Sequence, residues 1–371
     1  MTAAVGAAGS ATRADAAAAR LEEVGTPFAL VDGRRLRANV AAMQEAVAGL
    51  GAALRPHFKT HRTVPLARLQ LDAGAIGLTV ATTRQLQTVT GELGCPVLVT
   101  SLLEADPAAA AALREACADG EVMFAIESPR SVELLRAALG PEARAEVVIE
   151  IEAGCLRCGV PPSECAALAQ SAAREGFDVA GVFSYPGHSY APGRSAEAAE
   201  QERAALSEAV ATLERAGFEP RHVSAGSTPT MPYARAGVAT EYRPGTYVFG
   251  DRQQLTLGAV SRDQLSLTVV ASVIAVHGDR LVLDAGGKAL GRDAPRWLEG
   301  YGQLANGSDA LVARLYDHHS VIEPYAGEAL SVGDRVAIVP NNANSTMGLL
   351  RSAWLTDDGE TAAELRPVPD R

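Results

Sequence analysis

The chain has 371 residues, of which 47% are hydrophobic and 21% charged, and its formal net charge is −11. This composition is typical of a soluble globular protein with an acidic surface, which excludes nucleic acid as an expected partner. There is no apolar run near the ~20 residues of a membrane-spanning helix and no continuous apolar segment of a secretory signal, so we expect no membrane partner and a cytoplasmic protein.

In chain order, residues 1–22 are predicted to be a flexible tail, and a strand within residues 23–33 is expected to join the C-terminal region. Residues 34–254 then alternate short apolar stretches with segments of helical periodicity. The eight predicted strands are AALRPHF, AIGLTVA, PVLVTS, VMFAIES, AEVVIEI, DVAGVFSY, RHVSAGS and TYVFG. Strands that alternate with helices favour a parallel sheet, and eight of them predict an α/β fold with a (β/α)8 TIM-type barrel.

An open doubly wound sheet is the alternative, but no predicted strand is followed by a dinucleotide-binding glycine motif. Residues 255–371 have a different sequence pattern, because runs of β-branched residues such as LSLTVVASVIAV are interrupted by Gly-Asp turns. They predict a separate β-rich domain after the barrel.

Lys59 follows the first predicted barrel strand, in the stretch LRPHFKTH. Reactive side chains of such barrels lie at the carboxyl ends of strands, and phosphate groups bind near the loops after strands seven and eight. Strand seven ends in the small residues SAGSTPT, and the RPGTYVFGD stretch brings Gly245 and Thr246 to the same mouth. A lysine opposite a phosphate loop is the layout expected for pyridoxal phosphate, which forms a Schiff base with lysine. Solvated loops with an ordinary surface lysine remain the alternative on these features alone.

Two of the five cysteines, Cys155 and Cys158, have the two-residue spacing of a redox or zinc motif. There is no second such pair, and the surroundings are typical of the end of a buried strand. The odd cysteine count in a long chain without a secretory signal argues against a disulfide framework, so we expect reduced thiols.

Six ordered motifs after TPFALVD extend the argument: RPHFKTH, EIEAGCLRCGV, SYPGHSY, SAGSTPT, RPGTYVFGD and LDAGGKAL. Together they resemble the D-threonine aldolase and D-serine dehydratase family, which belongs to the alanine-racemase-like, fold type III pyridoxal phosphate enzymes. The resemblance runs from about Thr26 to the C-terminus. It implies pyridoxal 5'-phosphate as cofactor, a small amino acid as substrate, and a homodimer with active sites near the interface.

The resemblance also implies roles for individual residues. Lys59 would carry the cofactor, Arg157 would contact the pyridoxal 3-oxygen, and Tyr185 and His188 would lie beside the ring and substrate. The expected cofactor-binding residues are Lys59, His57, Arg157, Tyr185, Ser224, Gly226, Ser227, Thr228, Gly245, Thr246 and Tyr247. The expected catalytic residues are Lys59, His318, His319 and His188, and the expected substrate contacts are His61, Asn342 and Asn344.

One departure from the family pattern concerns the metal. Family members carry Pro-x-His-x-Cys or Pro-x-His-x-Asp near the C-terminus as ligands of a divalent ion, whereas VPNNANSTMGL places Asn342 and Asn344 there. Neutral amides are poor ligands for zinc or manganese, so we expect no divalent metal. The stretch YDHHS puts His318, in place of an expected acidic residue, beside His319. This histidine could transfer protons, or one of the pair could only form a hydrogen bond across the domain interface.

Three reactions remain open. An aldolase-type lyase, ranked first, would cleave Cα–Cβ of a D-configured β-hydroxy amino acid to glycine and an aldehyde. A metal-free racemase or epimerase would need Lys59 on one face and a histidine on the other. A dehydratase would need a metal to help hydroxide leave. Carrier proteins of pyridoxal phosphate share the barrel and lysine but resemble single domains, so the β-rich region argues against a carrier.

Overall fold

The computed structural model describes residues 19–100 and 107–369. The first 18 residues of the predicted tail lie outside this part. The last residues assigned to that tail are ordered, because they form strand β1 (Ala19–Arg20) and enter the 3-10 turn Leu21–Glu23. In the described part, no helix has the length and apolarity needed to cross a bilayer.

Eight parallel strands form a closed barrel, which confirms the predicted fold class. After β2 (Phe28–Asp32) they are β3 (Ala53–Leu54), β4 (Leu78–Val80), β5 (Val97–Val99), β6 (Val122–Ile126), β7 (Glu146–Glu150), β8 (Asp178–Phe183), β9 (His222–Ala225) and β10 (Glu241–Tyr242). Neighbours pair in register from β4 to β10, and β10 pairs with β3. The ring closes where a bridge joins His57 to Thr79 and the Thr79 amide donates to the Pro56 carbonyl at 2.9 Å.

Helices cover the outside of the barrel. They are α1 (Gly33–Gly49), α2 (Val64–Asp72), α3 (Thr83–Leu93), α4 (Pro107–Asp119), α5 (Pro129–Leu139), α6 (Cys165–Arg174) and α7 (Ser195–Arg215), and α8 (Arg252–Thr256) leads out of the barrel. Side-chain caps set several starts: Asp32 accepts from two amides of α1, and Thr82 and Ser128 cap α3 and α5.

The eighth predicted strand, TYVFG, is wrong. Residues Thr246–Val248 form a 3-10 turn, and the eighth strand is the shorter β10, which lies just before it. Pro244 lacks an amide hydrogen and Gly245 follows it, so the ladder ends there despite the β-prone aromatic residues. Tyr247 and Phe249 are buried under the barrel helices, which explains their apolar character.

The C-terminal domain is built on a ten-stranded mixed sheet. Its elements are β11 (Leu267–His277), β12 (Arg280–Leu283), α9 (Gly287–Leu290), β13 (Gly302–Leu304), β14 (Val312–Leu315), β15 (Ser320–Ile322), β16 (Arg335–Pro340), α10 (Ala343–Leu349), β17 (Ala353–Thr356) and β18 (Thr361–Leu365). The N-terminal strand β2 lies between β11, to which it is antiparallel, and β17, to which it is parallel. Val31 and Ala353 of this sheet share one apolar core with the barrel helices, so the two domains are packed together.

Candidate active site

A pocket of about 320 Å³ opens at the carboxyl ends of the barrel strands. Its lining residues follow six different strands and are His57, Lys59, Ala81, Thr100, Arg157, Cys158, Tyr185 and Arg243. Lys59 lies in the 3-10 turn Phe58–Thr60 directly after β3. The His57 ring caps this turn, because its Nδ1 accepts from the Lys59 amide at 3.4 Å. Phe58 and Thr60 on either side are fully buried, which fixes the half-buried lysine toward the pocket.

The pocket lowers the pKa of Lys59 from 10.5 to about 8. Burial is the main cause, and the positive charges of Arg157 and Arg243 add to it. Burial also lowers the pKa of His57 well below its usual value, so this ring is neutral. The Lys59 amine lies 5.6 Å from the centre of the Tyr185 ring, and the Arg157 guanidinium lies 4.6 Å from the same ring. The lysine is therefore a nucleophile with a large neutral fraction near physiological pH.

Arg157 is carried by a rigid loop after β7. Leu156 has a φ of 54°, and the Glu152 carboxylate accepts a hydrogen bond from the Leu156 amide at 2.9 Å. The guanidinium is half exposed and lies 3.3 Å from the buried Glu150 carboxylate at the end of the strand. This ion pair aims the arginine across the Tyr185 ring, where an anionic oxygen can be bound.

The cysteines Cys155 and Cys158 in this loop are free thiols, and Cys158 lines the pocket. Among residues 19–100 and 107–369 there is no group of three His, Cys, Asp or Glu side chains that could hold a metal ion. In this part of the chain, therefore, the CLRC motif has no set of ligands that would support the zinc interpretation.

Arg243 is a pocket residue that the sequence analysis missed. It directly follows β10, is 5% exposed, and donates from Nε to the Ser224 hydroxyl at 2.7 Å and from Nη2 to the Ser184 carbonyl. The Ser224 hydroxyl in turn donates to Glu241 at 2.6 Å, so Ser224 belongs to a buried network rather than to the pocket lining. The available signal was an arginine immediately before the Pro-Gly turn at the end of the eighth strand.

The predicted phosphate-binding residues come together at the ends of β9 and β10. Ser227 begins the 3-10 turn Thr228–Tyr233, and the Thr228 hydroxyl accepts from the Tyr247 amide at 3.2 Å, which joins the two loops. The Gly226 amide donates to the Glu202 carboxylate at 3.0 Å, so it is already engaged within the protein.

Gly245 provides the closest approach between these loops and the lysine turn. A Cβ atom at this position would lie 2.6 Å from the Thr60 hydroxyl, so only glycine fits. The Thr60 hydroxyl is buried and has no hydrogen-bond partner among the residues that the structure describes. A buried donor without an acceptor is costly, and an anionic oxygen bound beside Gly245 would satisfy it. The lysine, the two arginines and this hydroxyl fit pyridoxal phosphate.

His61 is placed away from the pocket, contrary to its expected role as a substrate contact. The ring is fully buried, with Nε2 3.1 Å from the Gln70 side-chain oxygen and Nδ1 accepting from the Thr63 amide at 3.1 Å. Burial lowers the pKa of His61 to about 4. Both ring nitrogens are occupied, so this histidine supports the loop that carries Lys59.

The three expected catalytic histidines do not line the Lys59 pocket of the same chain. His188 Nε2 lies 2.8 Å from the Gln201 side-chain oxygen on α7, while its Nδ1 is buried without a hydrogen-bond partner in the described part of the chain. His318 and His319 are exposed on the β-rich domain, where His318 Nε2 lies 3.3 Å from the Lys288 amine.

Asn342 and Asn344 lie at the start of α10, which packs against the Phe58–Thr60 turn. The Asn342 side-chain oxygen caps this helix by accepting from the Ser345 amide at 3.1 Å. The Asn344 oxygen is buried and has no hydrogen-bond partner within residues 19–100 and 107–369. Asn342 thus has a structural role in which a metal ion is not needed.

The fold and this site together define a class. The family model described as "Alanine racemase, N-terminal domain" matches residues 31–253, and the one described as "Putative serine dehydratase domain" matches residues 266–355. These matches, with the lysine pocket at the barrel mouth, are those of a fold type III pyridoxal phosphate enzyme. Within this class, the chain belongs to the family of D-serine dehydratases and D-threonine aldolases, which confirms the resemblance seen in the sequence.

Two relatives and one solved structure show the extent of the similarity. A D-threo-3-hydroxyaspartate dehydratase from Delftia sp. is 30% identical over 349 residues, which cover 86% of this chain and 91% of the relative. A D-threonine aldolase from Arthrobacter sp. is 26% identical and covers 91% of both chains. The solved structure of the dehydratase from Delftia sp. HT23 superimposes with a TM-score of 0.86 at 28% identity, covering 94% of this chain and 99% of that one.

Proposed function

We propose that this protein is a pyridoxal phosphate-dependent lyase that cleaves the Cα–Cβ bond of a D-configured β-hydroxy-α-amino acid without a divalent metal. The observation that carries the proposal is the hydrogen bond of Asn342. Its side-chain oxygen caps α10 at the position where the family resemblance implies a metal-binding histidine. Its neighbour Asn344 adds no charge, because both positions are amides.

Pyridoxal phosphate, when bound, supplies an electron sink for the electron pair left at Cα. Lys59 provides the attachment point, and its pKa of about 8 lets Nζ hold or release a proton at neutral pH. Arg157 and Arg243 place two positive charges beside this amine, where they bind anionic oxygens and orient them. Tyr185 forms a wall of the pocket between Lys59 and Arg157.

The β-hydroxyl proton needs a base, and we assign this role to His318 or His319. Both are exposed in the single chain, so neither is committed to the core. In the homodimer that we propose, the β-rich domain of one chain would bring these rings to the pocket of the other. An imidazole nitrogen can accept the proton that leaves oxygen as the carbon–carbon bond breaks.

Retro-aldol cleavage is chosen over dehydration because of the leaving group. Hydroxide is a poor leaving group that benefits from a Lewis acid, whereas retro-aldol cleavage needs only a base at the hydroxyl oxygen. Two amides in place of charged ligands therefore weaken dehydration more than cleavage. Dehydration becomes the second candidate, ahead of racemisation, since the relatives from Delftia sp. and Dictyostelium discoideum are both named dehydratases.

Product analysis tests the proposal. The purified enzyme is incubated with the D and L forms of threonine, threo-3-hydroxyaspartate and serine, with and without a chelator. We expect glycine and an aldehyde from D isomers only, at a rate that the chelator leaves unchanged, and no product from a Lys59→Ala variant. An oxo acid with ammonia would show dehydration, an inverted stereoisomer would show racemisation, and either as the main product overturns the proposal.

A further inference from the structure

Glu202 of helix α7 is a buried carboxylate that no step above uses. Its side chain reaches from the outer helix layer to the mouth of the barrel and is 4% exposed. Oε1 accepts from the Ser184 hydroxyl at 2.7 Å and from the Gly226 amide at 3.0 Å, and Oε2 lies 3.1 Å from the same amide. Ser184 immediately precedes Tyr185 of the pocket, so one carboxylate holds both the loop after β8 and the loop after β9.

The environment of Gly226 explains why these hydrogen bonds matter. Gly226 has a φ of 88°, a conformation that the loop must hold for the next peptide to turn into the 3-10 turn. On the α7 side of the loop lies a cavity lined by Glu202, Leu206, Ala225, Thr230 and Tyr242 among others. Gly226 itself packs against the Tyr242 ring, because a Cβ atom there would lie 2.8 Å from a ring carbon, so the carboxylate fixes the orientation of a peptide that is already closely packed.

The charges around Glu202 support a role for its carboxylate in holding the two loops together. Arg243, whose guanidinium donates to the Ser184 carbonyl, is the cation that favours the ionised form of Glu202. Burial nevertheless raises the pKa of Glu202 to about 7, against the effect of the Gly226 and Ser184 hydrogen bonds. Retaining a carboxylate at such a cost is expected where it holds a geometry that a neutral apolar side chain cannot.

We propose that Glu202 is a positioning residue that preforms the loop Gly226–Thr228 for the phosphate group of the cofactor. It acts through the Gly226 peptide and does not itself touch the cofactor. The independent observation that supports an anion site at this edge is the buried Thr60 hydroxyl beside Gly245, which has no hydrogen-bond partner among the described residues. The inference rests on pyridoxal phosphate as cofactor and not on which reaction the enzyme catalyses.

Reconstitution of the apoenzyme with two ligands tests the role of Glu202 without turnover. Pyridoxal phosphate and pyridoxal share the aldehyde and ring, and only the first has a phosphate. We expect Glu202→Ala to weaken the binding of pyridoxal phosphate at least tenfold and that of pyridoxal less than twofold. Glu208→Gln, an exposed change on the same helix, is the matched control and should alter neither affinity.

Two further variants keep the proposal open to refutation if Glu202→Ala does not fold. Glu202→Gln places an NH₂ group against the Gly226 amide. The affinity for pyridoxal phosphate divided by the affinity for pyridoxal should therefore fall at least threefold. Ser184→Ala removes only the hydroxyl contact and leaves the Gly226 contact, so it should change that ratio less than Glu202→Gln does. An unchanged ratio in Glu202→Gln, or equal losses for both ligands, would overturn the assignment.

Discussion

Lys59 is expected to react with pyridoxal phosphate at a pH where an ordinary lysine is inert. Only the neutral amine attacks an aldehyde, so the initial rate of covalent attachment follows the neutral fraction of this side chain. With a pKa of about 8, roughly a quarter of the Lys59 amines are neutral at pH 7.5. A lysine at the unperturbed value would have about 0.1% neutral amine, which is a difference of a few hundredfold.

The sign of the pH dependence follows from this shift. Attachment should rise about tenfold per pH unit below pH 8 and level off above it, because deprotonation is then complete. The assay mixes apoenzyme with pyridoxal phosphate from pH 6 to pH 10, reduces the product with borohydride within the initial phase, and quantifies labelled peptides. The exposed Lys288, the other lysine in the sequence, is the control within the same molecule.

A charge-removing variant separates the causes of the shift. Burial would remain in Arg157→Gln, but one of the two positive charges that lower the Lys59 pKa would be lost, so the midpoint should move upward. Arg157→Lys keeps the charge and should leave the midpoint near 8. A wild-type midpoint near 10.5, or a label that appears mainly on Lys288, would refute the structural reasoning.

Three further predictions concern the cofactor, the metal and the barrel interior. Arg157→Ala should retain a folded protein, since the side chain is half exposed, yet shift the absorption of the bound cofactor and lower kcat; an unchanged spectrum and rate would remove it from the site. Dialysis against a strong chelator should leave activity intact, and the dialysed enzyme should contain far less than one metal ion per subunit. The double variant Asn342→His with Asn344→Asp should gain metal-dependent turnover. Loss of wild-type activity that manganese or zinc restores would contradict this prediction. Arg55→Met should lower the free energy of unfolding by about 3–5 kcal/mol in urea titrations, because it removes the positive charge 3.0 Å from the buried Glu241 carboxylate. The double variant with Glu241→Leu should recover most of that loss.

The positions of seven barrel strands could be predicted because each is a short apolar run buried on both faces and bounded by glycine or polar residues. The eighth could not, since the β-prone stretch that follows β10 has a stronger strand pattern than β10 itself and folds as a buried 3-10 turn. The local β-propensity favours a strand at TYVFG, but burial of this segment in the tertiary structure stabilises a 3-10 turn instead.

The site shows the same division. Lys59 could be recognised because it follows a predicted strand opposite a predicted phosphate loop, whereas Arg157 and Tyr185 were expected in the site only through the family resemblance. Glu202 and Arg243 could not, because their importance comes from contacts between segments distant in sequence. The opposite error concerns His61, whose motif is suited to chemistry but whose ring nitrogens are both engaged in the interior.

The pairing of the chain's two ends in one sheet has a consequence for synthesis on the ribosome. β1 pairs with β18 across about 340 residues of sequence, and β2 is held between β11 and β17. The barrel segments can therefore begin to collapse while the chain is still emerging, but β2 has no partner until β11 has been made. During that interval the apolar side chain of Phe28, which packs against Val270 of β11 in the folded protein, lacks this cover. We expect nascent chains arrested before residue 267 to be bound by chaperones and full-length chains to be released.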